Sequence, residues 1–222
     1  MVAQSESHAA IRYGRPQRLP LWVKGVIVLC CAMQGLVIAA DLMGWAILRQ
    51  ALTFLGGFWS AILWAGQGLF PGHPLTMFVT YGFLHAGLLH LGMNMLSLAV
   101  LARELNRLIG AGRMALVYGV TQVAAALLFA LMSPAGGPMV GASGAIFGLA
   151  GALVGFAAVT GWRRRRPLGQ LWRGVALMVG LNVALTILMP SIAWEAHLGG
   201  TLAGLLMGAA MALGNGRRGS AF

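Results

Sequence analysis

Apolar residues run along this chain in blocks of about 20, the length that crosses a bilayer core as a helix. The blocks lie near 22–40, 84–102, 114–132, 141–161, 171–189 and 193–214. The pattern predicts an all-α membrane protein with six transmembrane helices. Charged residues collect between the blocks, at Arg12, Arg15, Arg18 and Lys24, then Arg103, Arg107 and Arg113, then Arg163 to Arg166 with Arg173, and finally Arg217 and Arg218. Every second connection is basic. The breaks at 133–140 and Pro190-Ser191 carry no Lys or Arg, so the positive-inside rule puts both termini in the cytoplasm. The expected organisation is a cytoplasmic tail over 1–20, a six-helix domain over 21–214 and a short cytoplasmic tail over 215–222.

One further apolar stretch, 51–70, is long enough to pass for a seventh span. If it crossed, the basic connection at Arg103, Arg107 and Arg113 would face outward, so the charge pattern rejects it. Gly56-Gly57 and Gly66-Gln67-Gly68 break it, and Trp59 and Trp64 suit the headgroup region, so it reads as a partly helical first loop in the outer interface. The first span, about 18 residues, is long for the apolar core of a signal peptide and reads as a retained anchor.

Composition agrees with this picture. The 222 residues are 59% hydrophobic and 9% charged, against about 25% charged in soluble domains. A mean hydropathy of +0.83 excludes disorder. The two cysteines, Cys30 and Cys31, are adjacent and cannot staple distant parts of a secreted scaffold. The net charge of +11 sits in the breaks and not on an amphipathic face, so it encodes topology and implies a lipid bilayer as partner, with no nucleic acid. No cofactor is implied. The histidines lack carboxylate or cysteine companions, so no metal set is visible, and His8 and His73 read as exposed.

Polar groups inside spans are costly and are therefore the candidates for function: His85, His90, Asn94, Ser143, Glu195 and His197. Ser143 precedes Arg163 by 20 residues and His197 precedes Arg217 by 20, so each lies about 30 Å from its cytoplasmic anchor, near the outer side. His90 and Asn94 share one helical face. Gly144-x3-Gly148 and Gly200-x3-Gly204 let the fourth and sixth helices approach closely. That closeness puts Ser143 within reach of His197, and a hydroxyl beside a neutral imidazole is the minimum for nucleophilic catalysis. Taken singly, Ser143 reads as helix packing and His197 as a bonded structural histidine. Their equal depth favours chemistry.

Three motifs together resemble those of rhomboid intramembrane serine proteases, over about residues 20–214: His85-x4-His90-x3-Asn94-Met95 on the second span, Gly141-Ala142-Ser143-Gly144 opening the fourth, and His197-x2-Gly200-x3-Gly204 on the sixth. The resemblance implies a minimal six-helix bacterial rhomboid-like bundle in the inner membrane. By position it implies Ser143 as nucleophile, His197 as base, His90 and Asn94 in the oxyanion hole, and His85, Phe147, Gly141, Gly200 and Gly204 as supporting residues. Thr76-Met77 stands where bacterial members often carry Trp-Arg, which leaves open how the first loop is anchored.

Physical chemistry adds detail to the implied site. Glu195 is two residues before His197, roughly 200° round the helix, so a Ser-His dyad is expected in place of a triad. Phe147, one turn after Ser143, is placed to pack on the imidazole. Backbone N–H groups of Ser143 and Gly144, at a helix N-terminus, lack intrahelical acceptors and suit an oxyanion. Hydrolysis needs water, so the site must open to the outer side, with the 133–140 loop and the first loop as lids. The expected substrates are single-span membrane proteins. A catalytically silent relative that binds membrane helices for quality control is the alternative, and retention of both Ser143 and His197 argues against it. A transporter would show an inverted repeat, and none is present.

Overall fold

A computed structural model of the protein describes residues 18–165, 169, 172–177, 180 and 193–217. Among these residues the chain is helical, and five helices are long and apolar enough to cross a membrane. They are α1 (Leu21–Leu42), α5 (Leu88–Ile109), α6 (Ala111–Met132), α7 (Ser143–Arg163) and α8 (Trp194–Arg217). Shorter helices α2 (Ile47–Gly56), α3 (Ser60–Ala65) and α4 (His73–Thr80) fill the connection between α1 and α5. Of the expected span at 171–189 only 172–177 and 180 are described, and these are helical. The rest of that span lies outside the described residues, as do His8, Arg12, Arg15, Arg166, Pro190, Ser191 and Arg218.

The second span differs from expectation by sitting several residues later. Leu84 and Gly87 are extended (ψ 145° and 179°), and the first helical bond is Leu91 N–H to the Gly87 carbonyl at 3.0 Å. His85 therefore stands in the connection ahead of α5 and not on the span. At the other end the helix runs on through Arg103, Glu104 and Arg107, because an exposed Glu104–Arg107 pair one turn apart keeps these charges in helical register. Gly110, at φ 82°, ends it and lets α6 begin at once.

In the first loop, α2 and α3 are too short to cross a bilayer core. They break at Gly57 and Gly66, where the two glycine clusters fall. Side chains other than a Trp-Arg pair fasten this loop. His73, expected to be exposed, is fully buried: its Nδ1 accepts from Leu69 N–H at 3.3 Å, which leaves Nε2 to donate to the Leu55 carbonyl at 3.0 Å, and its ring stacks on Phe70. The exposed reading failed because nothing local in Gly-His-Pro signals that the loop folds back over it. Thr80 donates to the Gly56 carbonyl at 2.7 Å, and the Trp64 indole donates to the Ala130 carbonyl at 3.1 Å. Met77, in the position of the missing arginine, is fully buried.

The loop is also joined to the segment leading into α7. Phe58 and Met139 exchange both backbone hydrogen bonds at 2.9 Å, and Ser60 N–H donates to the Gly136 carbonyl at 3.0 Å. Phe58 is fully buried, edge-on to Phe78, Tyr81 and Phe129.

The centre of the bundle is the α7–α8 pair. A Cβ placed on Gly200, Gly204 or Gly208 would strike the carbonyl oxygen of Gly144, Gly148 or Ala152 respectively, so the two backbones touch along three successive turns. In lipid, where burying an apolar side chain against another gains little, such close backbone packing is a main source of helix association. Gly199, on the other side of α8, sets α6 equally close, with the Ala124 carbonyl 2.8 Å from where its Cβ would stand.

Candidate active site

The α7–α8 seam fixes the heads of both helices. Ser143 is the first residue of α7 and His197 lies in the first turn of α8. Their side chains meet: His197 Nε2 stands 2.9 Å from Ser143 Oγ. His197 is 2% exposed. Phe147, one turn after Ser143, lies nearly parallel to the imidazole, with centroids 4.3 Å apart and planes at 15°. A ring held on its face in this way keeps its edge toward the hydroxyl.

Glu195 points away from the histidine. It accepts a hydrogen bond from Ser133 Oγ at 2.9 Å and so ties the C-terminal end of α6 to the start of α8. Among the described residues no group of three His, Cys, Asp or Glu side chains could hold a metal ion.

The approach to Ser143 is shaped by Gly141. Its φ of 122° lies where a side chain is strained, and a Cβ there would stand 2.8 Å from His90 Cε1 and 3.8 Å from Ser143 Oγ. A glycine thus keeps open the gap between the His90 ring and the serine. Gly141 N–H is tied to the Tyr81 carbonyl at 2.9 Å, and the Tyr81 hydroxyl donates to the Gln122 carbonyl at 2.7 Å, so the 3₁₀ turn Tyr81–Phe83 buttresses the segment before α7.

His90 and Asn94 are one turn apart on α5, as their spacing requires. His90 Nδ1 faces Ala86 N–H at 3.4 Å. Asn94 Nδ2 donates to the His90 carbonyl at 2.8 Å, while its buried Oδ1 has no partner among the described residues. The amide nitrogen carries a second hydrogen, which remains to be donated. At the head of α7 the first helical bond is Ile146 N–H to the Ala142 carbonyl, so the N–H groups of Ser143 and Gly144 have no acceptor within the helix.

His85 touches the site through His90. The rings meet edge to face, with centroids 5.2 Å apart and planes at 66°. The structure thus brings together Ser143, His197, Phe147, Gly141, Gly144 and His90, with Asn94 bonded to the His90 carbonyl and His85 against the His90 ring, while Gly200 and Gly204 act through the seam. Sequence reasoning passed over Gln34, a buried amide in the middle of α1 that is 4% exposed. The signal was there, a lone strongly polar residue in an apolar block.

Residues 72–213 match the Rhomboid domain family description. No curated protein matches the chain. That match spans well over half of the sequence and contains Ser143, His197, Phe147, His85, His90, Asn94 and the site glycines, in an integral membrane protein. The chain belongs to the rhomboid family, whose members are in general intramembrane serine proteases.

Proposed function

We propose that the protein is an intramembrane serine endopeptidase that works through a Ser143–His197 dyad. The observation that carries this reading is the 2.9 Å contact between Ser143 Oγ and His197 Nε2, with Phe147 stacked on the imidazole. As Oγ bonds to the substrate carbonyl carbon, its proton passes to Nε2, so the resting imidazole carries its hydrogen on Nδ1. The carbonyl oxygen becomes an oxyanion. Donors at hand are the Ser143 and Gly144 N–H groups at the positive end of α7, the free amide hydrogen of Asn94 and the His90 ring. His197 then gives its proton to the amine as the C–N bond breaks, and later draws one from the water that releases the acyl group from Ser143.

The full proposal has six transmembrane helices, the fifth including 172–177, with both termini in the cytoplasm of a bacterial inner membrane and the dyad open to the outer side. The basic breaks support this orientation, and the shortness of α2 and α3 supports a first loop lying in the interface. Substrates are single-span proteins. A peptide bond in a membrane helix has its carbonyl bonded and shielded, and opening it in lipid costs several kcal/mol per unsatisfied group. The preferred sites are therefore near the outer end of the substrate, at a small residue, with Gly or Pro a few positions on.

The test is labelling of the purified protein with a fluorophosphonate or isocoumarin probe. Adduct at Ser143, lost in His197→Ala, is the expected result; a folded protein that no such probe modifies is a silent helix-binding relative instead.

A further inference from the structure

Beside His85 lies a cavity of about 20 Å³ lined also by Gln34 and Val37 of α1, Arg49 and Thr53 of α2, and Leu84. It joins the first span, the first loop and the approach to α5. Three observations single it out. His85 is more than nine-tenths buried, and neither of its ring nitrogens has a hydrogen-bonding partner among the described residues. The Phe83 carbonyl lies near the ring without meeting hydrogen-bonding geometry. Gln34, a buried amide on α1, lines the same cavity.

An unpaired buried imidazole beside a small cavity costs free energy unless something in the cavity pairs with it. The volume has room for one or two water molecules, and a buried water needs two to four polar partners. His85, Gln34 and Thr53 supply them. Arg49, the charged group on this wall, is already engaged by Asp41.

We propose that this cavity is a water-binding site, in which one or two waters bridge His85 to Gln34 and Thr53. The water braces His85, whose ring meets His90 edge to face, and His90 in turn lies against Gly141 beside the serine. His85 is thus a positioning residue: it transmits the placement of α1 and α2 to His90 without touching the reacting atoms. The effect on turnover rests on the protease reading; the water site itself does not.

The direct test is a crystal structure of the full chain grown from lipid, at a resolution that shows ordered water. Density for water within hydrogen-bonding distance of a His85 ring nitrogen and the Gln34 amide is expected, whereas an acyl chain or no ordered density there overturns the site. The second test compares His85→Phe, which keeps the ring and removes its nitrogens, with Gln34→Leu and Thr53→Val on a membrane substrate. Each is expected to lower kcat about fivefold with KM unchanged, as for loss of one hydrogen bond. Because the residues share the water, His85→Phe with Gln34→Leu should fall no further than His85→Phe alone. Losses that multiply, or that appear in KM alone, overturn the bracing role. Should a variant fail to fold, density in the unaltered protein decides. A protein that shows the water but whose Ser143 resists the probes retains the site and loses the protease reading.

Discussion

At the residue scale, the proposed chemistry rests on two side chains 54 positions apart in sequence. Ser143→Ala and His197→Ala should each abolish cleavage of a membrane substrate while melting in detergent stays within a degree or two of the parent, since neither change removes a group from the glycine seam. More than a few per cent of residual activity in either variant would rule out the dyad. The base must be neutral to accept the serine proton, so the active fraction is the deprotonated one. Activity should therefore rise with pH through the range where an imidazole loses its proton and then level off. A pH–rate profile that instead falls above neutrality would contradict a histidine base and point to a carboxylic acid. Much of this was legible beforehand: equal distances to Arg163 and Arg217 place Ser143 and His197 at one depth, and the spacing of Phe147 from Ser143 put it on the right face. His73 was not legible in its role, because that role is defined by partners from other elements and by no local periodicity, whereas Gln34 stood out as a lone polar residue in an apolar block and was passed over.

At the element scale, α7 and α8 pack through glycine carbonyls and glycine Cα atoms, and a methyl group has no room in this seam. Gly204→Ala should destabilise the bundle by about 1–3 kcal/mol, the usual cost of overpacking. Gly119→Ala, on α6 with nothing near its would-be Cβ, should be neutral or gain the roughly 0.5–1 kcal/mol by which alanine exceeds glycine in a helix. Thermal unfolding of both variants in the same detergent checks the contrast, and equal stability would mean that the seam is looser than its geometry implies. Helix lengths and the GxxxG pairs follow from hydropathy and spacing. The late start of α5 does not, since Leu84 to Gly87 are as compatible with a helix as with the extended backbone they adopt. It is set by Tyr81, whose carbonyl and hydroxyl are committed to Gly141 and α6.

At the scale of the whole molecule, the proposed orientation rests on the placement of the basic residues. Cysteines introduced at Ala135 and Leu55 should react with an impermeant thiol reagent applied to intact cells, and one at Gln170 should not, given a parent in which Cys30 and Cys31 are replaced. Labelling at Gln170 from outside would overturn the six-span arrangement. The seam between α7 and α8 has a final consequence, for the medium around the protein. Contacts between backbones leave no space along that line for lipid, water or detergent, so the attraction there does not depend on which of them forms the surroundings. Transfer from bilayer to micelle changes only the outer faces of the bundle. We therefore expect Ser143 to meet a small soluble probe at the same rate in both media, while cleavage of a membrane substrate, which must arrive across those outer faces, differs between them. A probe rate that collapses in detergent would show that the bilayer, and not the seam, holds the two residues together.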